Sequence, residues 1–191
     1  TRKRPFTFGI RTLGRQASDS LMQTAVTRAE GPFMIRYPRG CGSIGGNDEE
    51  GKPLWQCPLE EVEIGKGRCL REGKGDTAVL TLGPIGIEAA KGIELAGGEA
   101  GHYDMVYCKP LDTELLTHIF KRYARIVTVE DGALTGGFGS AVLEEASRQG
   151  YTGRIQCLGA PDEFVTHGSV KELYHLCGID AEAIARRIVN S

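Results

Sequence analysis

Two stretches of this chain carry residue types able to do chemistry. The first is Arg36-Tyr37-Pro38-Arg39-Gly40. A guanidinium is a planar fork of donors that matches a phosphate or a carboxylate. Proline stiffens the backbone between the two arginines, and Gly40 frees it afterwards. Residue types alone leave two roles open: binding an anionic ligand, or pairing with surface acids. The second stretch is Val129–Ser140, VEDGALTGGFGS, where a strand-like run passes through glycines into a helix-like run. Joins of this kind hold phosphates in nucleotide-binding folds. Here neither phosphate motif is complete. Gly137-Phe138-Gly139 supplies the first two glycines of G-x-G-x-x-G, but Val142 stands at the third. A Walker loop would need a lysine before Ser140. Glu130 and Asp131 precede the loop and would repel an anion. Its expected role is therefore conformational: glycines allow a sharp turn and a close approach of helix to sheet or to a neighbouring subunit.

Other reactive groups form no constellation. Glu130 and Asp131 could act as paired carboxylates, but no third catalytic group accompanies them. His167 lies near Ser169, yet Ser169 with Glu172 reads as an S-x-x-E helix cap. The six cysteines are irregularly spaced, with no C-x-x-C pair, and the four histidines do not sit at ligand spacings with them. Cys108 and Cys157 fall in strand-like runs, where a buried thiol acts as a small apolar side chain. No catalytic residue and no metal or cofactor ligand is expected within this chain.

The elements that must position these residues alternate. A helix is expected around Asp19–Arg28, then a strand over Pro32–Tyr37. One helix and one strand cannot bury a core. They form either an arm on the main domain or the tail of another one. Residues 41–60 are polar and glycine-rich and read as a linker. Five strand-like runs follow: Glu61–Arg71 (strand or hairpin arm), Thr77–Leu82, Tyr103–Cys108, Arg125–Glu130 and Arg154–Leu158. Between and after them come helices, with Asp112, Ser169 and Asp180 as N-caps and Gly97-Gly98, Gly150 and Gly178 as stops. The rhythm predicts an α/β fold: a mostly parallel five-stranded sheet with helices on both faces.

With 191 residues, 40% apolar and 25% charged, the composition suits a globular domain. A net charge of −2 gives no electrostatic case for nucleic acid or an anionic membrane. No apolar run approaches a membrane span. The basic opening residues lack the apolar core of a signal peptide. A cytoplasmic location with reduced cysteines is the expectation.

The ordered series GPFMIRYPRG, IGKG, AVLTLG with EAAK, KPLD, VTVEDGALTGGFGS and LGAPDEFVTHGS resembles the carboxyl-terminal part of the 1-deoxy-D-xylulose-5-phosphate synthase family, within the transketolase-like enzymes. The likeness runs from about Leu21 to the end of the chain. Transketolases and pyruvate dehydrogenase beta-type enzymes share the domain and a version of the glycine loop. They are the alternative assignment, and a non-catalytic protein-interaction module is the alternative of another class. The resemblance implies a thiamine diphosphate- and magnesium-dependent homodimer that joins pyruvate to glyceraldehyde 3-phosphate with loss of CO2. It also implies a division of this chain: 1–40 as the tail of a pyrimidine-binding domain, with 1–18 unassigned because they depart from the family pattern, 41–60 as linker, and 61–191 as the C-terminal domain. By the same likeness Arg39 holds the substrate phosphate. Arg36 is the weaker candidate, with support of Arg39 as an equal role. The metal motif and cofactor glutamate are absent from this chain, so by itself it is expected to be inactive.

Overall fold

The computed structural model of this chain describes residues 7–10, 14–36 and 61–190, with side chains from Ser20 onward. Arg39 and the expected linker lie outside the described residues.

The main sheet contains β3 (Arg68–Arg71), β4 (Thr77–Leu82), β5 (Gly101–Asp104), β7 (Arg125–Ala133) and β8 (Arg154–Ala160), in the order β3-β5-β4-β7-β8. Four strands run parallel, and β3 pairs antiparallel at one edge. All six residues of β4 are buried, as a central strand covered on both faces requires. Its alternation divides the interior. Ala78, Leu80 and Leu82 face a cluster with Leu116 and Ile119 of α3 (Thr113–Arg122) and Phe138 and Val142 of α4 (Phe138–Arg148). Val79 joins the opposite cluster, with Ile93 of α2 (Gly86–Leu95) and Ile184 and Ile188 of α6 (Ala181–Val189). The expected sheet and its two helical layers are thus present. The caps also form: Asp112, Ser169 and Asp180 each accept from the backbone amide of the third residue of α3, α5 (Val170–Leu176) and α6.

The structure differs from expectation at several points. A strand, β1 (Thr7–Ile10), stands where no element was assigned. The helix α1 (Gly14–Arg28) begins before Asp19. The single run expected over Tyr103–Cys108 is two strands. Val106 adopts φ +55, so the chain leaves the main sheet after β5 and enters a second sheet as β6 (Tyr107–Lys109). That sheet has the order β2-β1-β6, with β2 at Phe33–Arg36. Apolar content alone could not separate β5 from β6, since each contributes a buried tyrosine, Tyr103 and Tyr107, with buried Met105 and Val106 between them. A small cluster of Leu21, Val106 and Tyr107, with Phe33, Ile35 and Val62 against it, seats the piece on the main domain. Glu61–Arg71 is likewise shorter as a strand than expected, because a turn at Glu63–Lys66 precedes β3.

Asp112 does more than cap. Its Oδ1 accepts from the Leu115 amide (3.0 Å) and its Oδ2 from the Gly67 amide (2.9 Å), tying that turn to α3. Asp112→Ala removes the cap and strands a second donor. The expected cost is about 2–3 kcal/mol, measured by urea unfolding.

Candidate functional site

Strands β4 and β7 are neighbours, but their outgoing connections part. The chain after β4 passes through α2 to β5 on one side, and after β7 through α4 to β8 on the other. In open parallel sheets, the crevice beyond the carboxyl ends of two such strands is the preferred ligand site. A cleft of about 340 Å³ lies there, lined among others by Leu82, Glu130, Gly137, Phe138, Cys108 and Arg36.

The end of β7 is irregular. Val129 pairs with Leu158 and Ala133 with Ala160, so four residues on β7 span two on β8. This bulge aims adjacent acids in different directions. Glu130 turns under α4. Its Oε2 accepts from the Phe138 amide and its Oε1 from the Gly139 amide, both at 2.9 Å. Gly137, the N-cap, offers no side-chain cap of its own. The free N–H groups and partial positive charge of this helix terminus are therefore satisfied by an internal carboxylate. The sequence suggested that Glu130 would repel an anion. In the fold it stands where the anion would sit.

The loop glycines follow from this arrangement. A Cβ on Gly137 would collide with the Ala133 carbonyl and the Glu130 carboxylate. One on Gly139 would stand 2.8 Å from both Cys157 Sγ and Thr128 Oγ1 on the sheet. Gly136 has φ +73 and open space around it, so it serves the turn. The close approach of helix to sheet expected from the sequence is present.

Asp131 points the other way. Its carbonyl accepts a hydrogen bond from Arg36 Nη1, and its Oδ2 lies 3.7 Å from Arg36 Nη2. The same Oδ2 accepts from the Tyr174 hydroxyl at 3.1 Å. Arg36 thus takes the acid-pairing role that residue types had left open. The pair is about half exposed, so it contributes only about 0–1 kcal/mol to stability. Glu130 and Asp131 do not form a paired-carboxylate site, since one caps a helix and the other holds an arginine. Burial and the nearby Glu130 charge push the Cys108 thiol pKa upward, away from the thiolate form.

Groups elsewhere offer less. A larger cleft of about 560 Å³ between β3 and α2 is lined mainly by carbon, including Leu70, Ile87 and Ile93, with His102 at its wall. His102 is buried beside Thr81 Oγ1 (3.1 Å), and burial pushes its pKa down to about 4. It stays neutral near pH 7. Ser169 is engaged in its capping box with Glu172, and His175 binds Asp180 at 2.5 Å. Among the described residues no three His, Cys, Asp or Glu side chains converge as metal ligands.

Residues 65–184 match the family model described as Transketolase, C-terminal domain. The chain belongs to the transketolase C-terminal domain family. It is 52% identical over 174 residues to a 1-deoxy-D-xylulose-5-phosphate synthase of Phocaeicola vulgatus, covering 89% of this chain and 26% of that protein. It is 43% identical to the enzyme of the same name from Cytophaga hutchinsonii, covering 93% and 27%. The chain therefore spans about a quarter of the length of these relatives. A split-gene transketolase, an inactive beta4 tetramer, shares the fold with a TM-score of 0.79 at 24% identity, covering 97% of this chain and 58% of that one. A Pichia stipitis transketolase complexed with sedoheptulose-7-phosphate aligns at 0.66 and 15% identity, covering 97% and 25%.

Within this transketolase domain, neither the role of Glu130 nor that of Asp131 was read from the sequence. One signal was available for Glu130: the helix entering at Phe138 has glycine, with no side-chain acceptor, at its cap position. An acid eight residues earlier can supply it only once the bulge has folded. Tyr174 gave no signal at all.

Two predictions follow from the geometry. Burial raises the Glu130 pKa above the ordinary 4.5, and the two amide bonds offset this only in part. A carboxyl whose folded pKa is raised favours the native state most below its unfolded pKa. That contribution fades as pH climbs through the folded value. The stability difference, native protein minus Glu130→Gln, should accordingly fall as pH rises above about 4.5. Urea titrations at several pH values measure it, and a rising difference would show that the cap outweighs burial. Gly139→Ala should destabilise by about 1–3 kcal/mol in thermal or urea unfolding, because its Cβ meets packed sheet atoms.

Proposed function

We propose that this chain is the carboxyl-terminal part of a 1-deoxy-D-xylulose-5-phosphate synthase. The observation that carries the reading is the 52% identity over 89% of the chain to a protein of that name. The whole enzyme would condense pyruvate with glyceraldehyde 3-phosphate, releasing CO2 and giving 1-deoxy-D-xylulose 5-phosphate for isoprenoid, thiamine and pyridoxal synthesis. It would be a cytoplasmic homodimer. In that enzyme residues 1–40 close the pyrimidine-binding domain, 41–60 link, and 61–191 form the C-terminal domain.

Thiamine diphosphate with Mg2+ would supply the electron sink for decarboxylation. The described residues do not fit that cofactor. The glycine-rich helix terminus that could receive a diphosphate is filled by Glu130, and no carboxylate cluster is available for the metal among the described residues. The cofactor would belong to the rest of the enzyme, and this chain alone would be inactive. What the chain supplies is the wall of the substrate site. Arg39 would hold the aldehyde's phosphate by a charge-assisted fork. Arg36, engaged by Asp131, would support it and make no ligand contact of its own.

In the full-length enzyme, Arg39→Ala should raise the KM for glyceraldehyde 3-phosphate by about 10- to 100-fold, the loss of one charged hydrogen-bonding group. The KM for pyruvate should stay near its original value. Equal effects on both substrates in steady-state kinetics would remove Arg39 from the phosphate site.

A further inference from the structure

His102 occupies a place where a strand under a helix would ordinarily carry an aliphatic side chain. Strand pairing sets Val79, His102 and Arg71 side by side across β4, β5 and β3. Val79 packs with Ile93 of α2, so His102 lies on the face that α2 covers. It is only 4% exposed, and burial holds it neutral near pH 7. A neutral imidazole has one donor nitrogen and one acceptor. Its Nε2 lies 3.1 Å from the Thr81 hydroxyl, which itself donates to the Tyr103 carbonyl at 3.3 Å. The hydroxyl oxygen therefore accepts from Nε2–H, and this network assigns Nδ1 as the acceptor. No described residue donates to Nδ1. Buried acceptors are seldom left without a donor.

The same ring lines the cleft of about 560 Å³ between β3 and α2. Leu70, Ile87, Ala90 and Ile93 make the rest of its wall rich in carbon. Small-molecule sites have this size and this combination of apolar walls with a few fixed polar groups. The cations at the mouth are already balanced: Arg71 pairs with Glu94, and Lys91 with Glu88 at 2.6 Å. A charged ligand would lose its hydration against carbon without gaining a free counter-ion. We propose that this cleft binds an uncharged, hydroxyl-bearing hydrocarbon, its apolar body against Leu70, Ile87 and Ile93 and its hydroxyl donating to His102 Nδ1. The site shares no lining residue with the cleft at the ends of β4 and β7. It does not depend on the role of Arg39.

The test is equilibrium dialysis of the full-length protein against 1-naphthol, with naphthalene as the matched hydrocarbon that lacks the donor. A single molecule of 1-naphthol should bind per chain, about 3- to 10-fold more tightly than naphthalene, as one net hydrogen bond provides. His102→Phe keeps the ring and removes the acceptor, so it should bring 1-naphthol to the affinity of naphthalene. Ala90→Phe fills the cleft from an exposed position on α2. It should weaken both probes at least about 10-fold by occupying their space, while turnover and Tm stay near their original values. Equal affinity of the two probes for the native protein would overturn the hydroxyl contact. Full binding by Ala90→Phe would place the probes elsewhere and overturn the site. Binding of neither probe would mean that the rest of the enzyme covers the cleft, and would overturn it as well.

Discussion

A buried carboxylate holds the working end of this domain in shape. Glu130 leaves the carboxyl end of a central strand and takes two amide hydrogen bonds from the first turn of α4. Without it, those donors would be stranded in a nearly dry place, and the helix would lose the negative charge that its terminus favours. The bulge in β7, the absence of a Cβ at Gly137 and the close contact of Gly139 with the sheet all serve this one arrangement. Burying a carboxylate opposes it, which is why the Glu130 pKa is pushed upward in spite of its two donors.

That interaction also decides where ligand chemistry can occur. The crevice at the switch between β4 and β7 is the place where many α/β proteins receive phosphate at a helix terminus. Here two of the terminal amides are taken by Glu130. The cation of the described cleft is Arg36, delivered from the other sheet and engaged by Asp131.

The joining of the two sheets makes this delivery possible. Val106, at φ +55, lets the chain leave β5 and pair as β6 with β1. β1 in turn pairs in register with β2 from Phe33 to Arg36. The Leu21, Val106 and Tyr107 cluster packs the piece down. The end of β2 is thus held by backbone pairing on one side and by the β7 bulge on the other.

Much of the scaffold was legible in the sequence, because short-range physics writes it there. The apolar runs at Thr77–Leu82 and Arg125–Glu130, the caps at Asp112, Ser169 and Asp180, and the glycine stops are set by residues within one turn or one strand of each other. The failure of both phosphate motifs was equally plain. Arg36 could be singled out as a candidate, but its partner could not, since Asp131 lies 95 residues away in sequence. The division of Tyr103–Cys108 between two sheets was hidden as well, because each half buries apolar groups and only the pairing partners differ. The sequence by itself determined the alternation of strands and helices in the main domain, the helix caps and stops, and the failure of both phosphate motifs. Tertiary structure alone decided that Glu130 fills the helix terminus and that Asp131 and Tyr174 hold Arg36. Those contacts depend on a two-residue bulge and on a strand from a separate sheet, long-range geometry that no local pattern encodes.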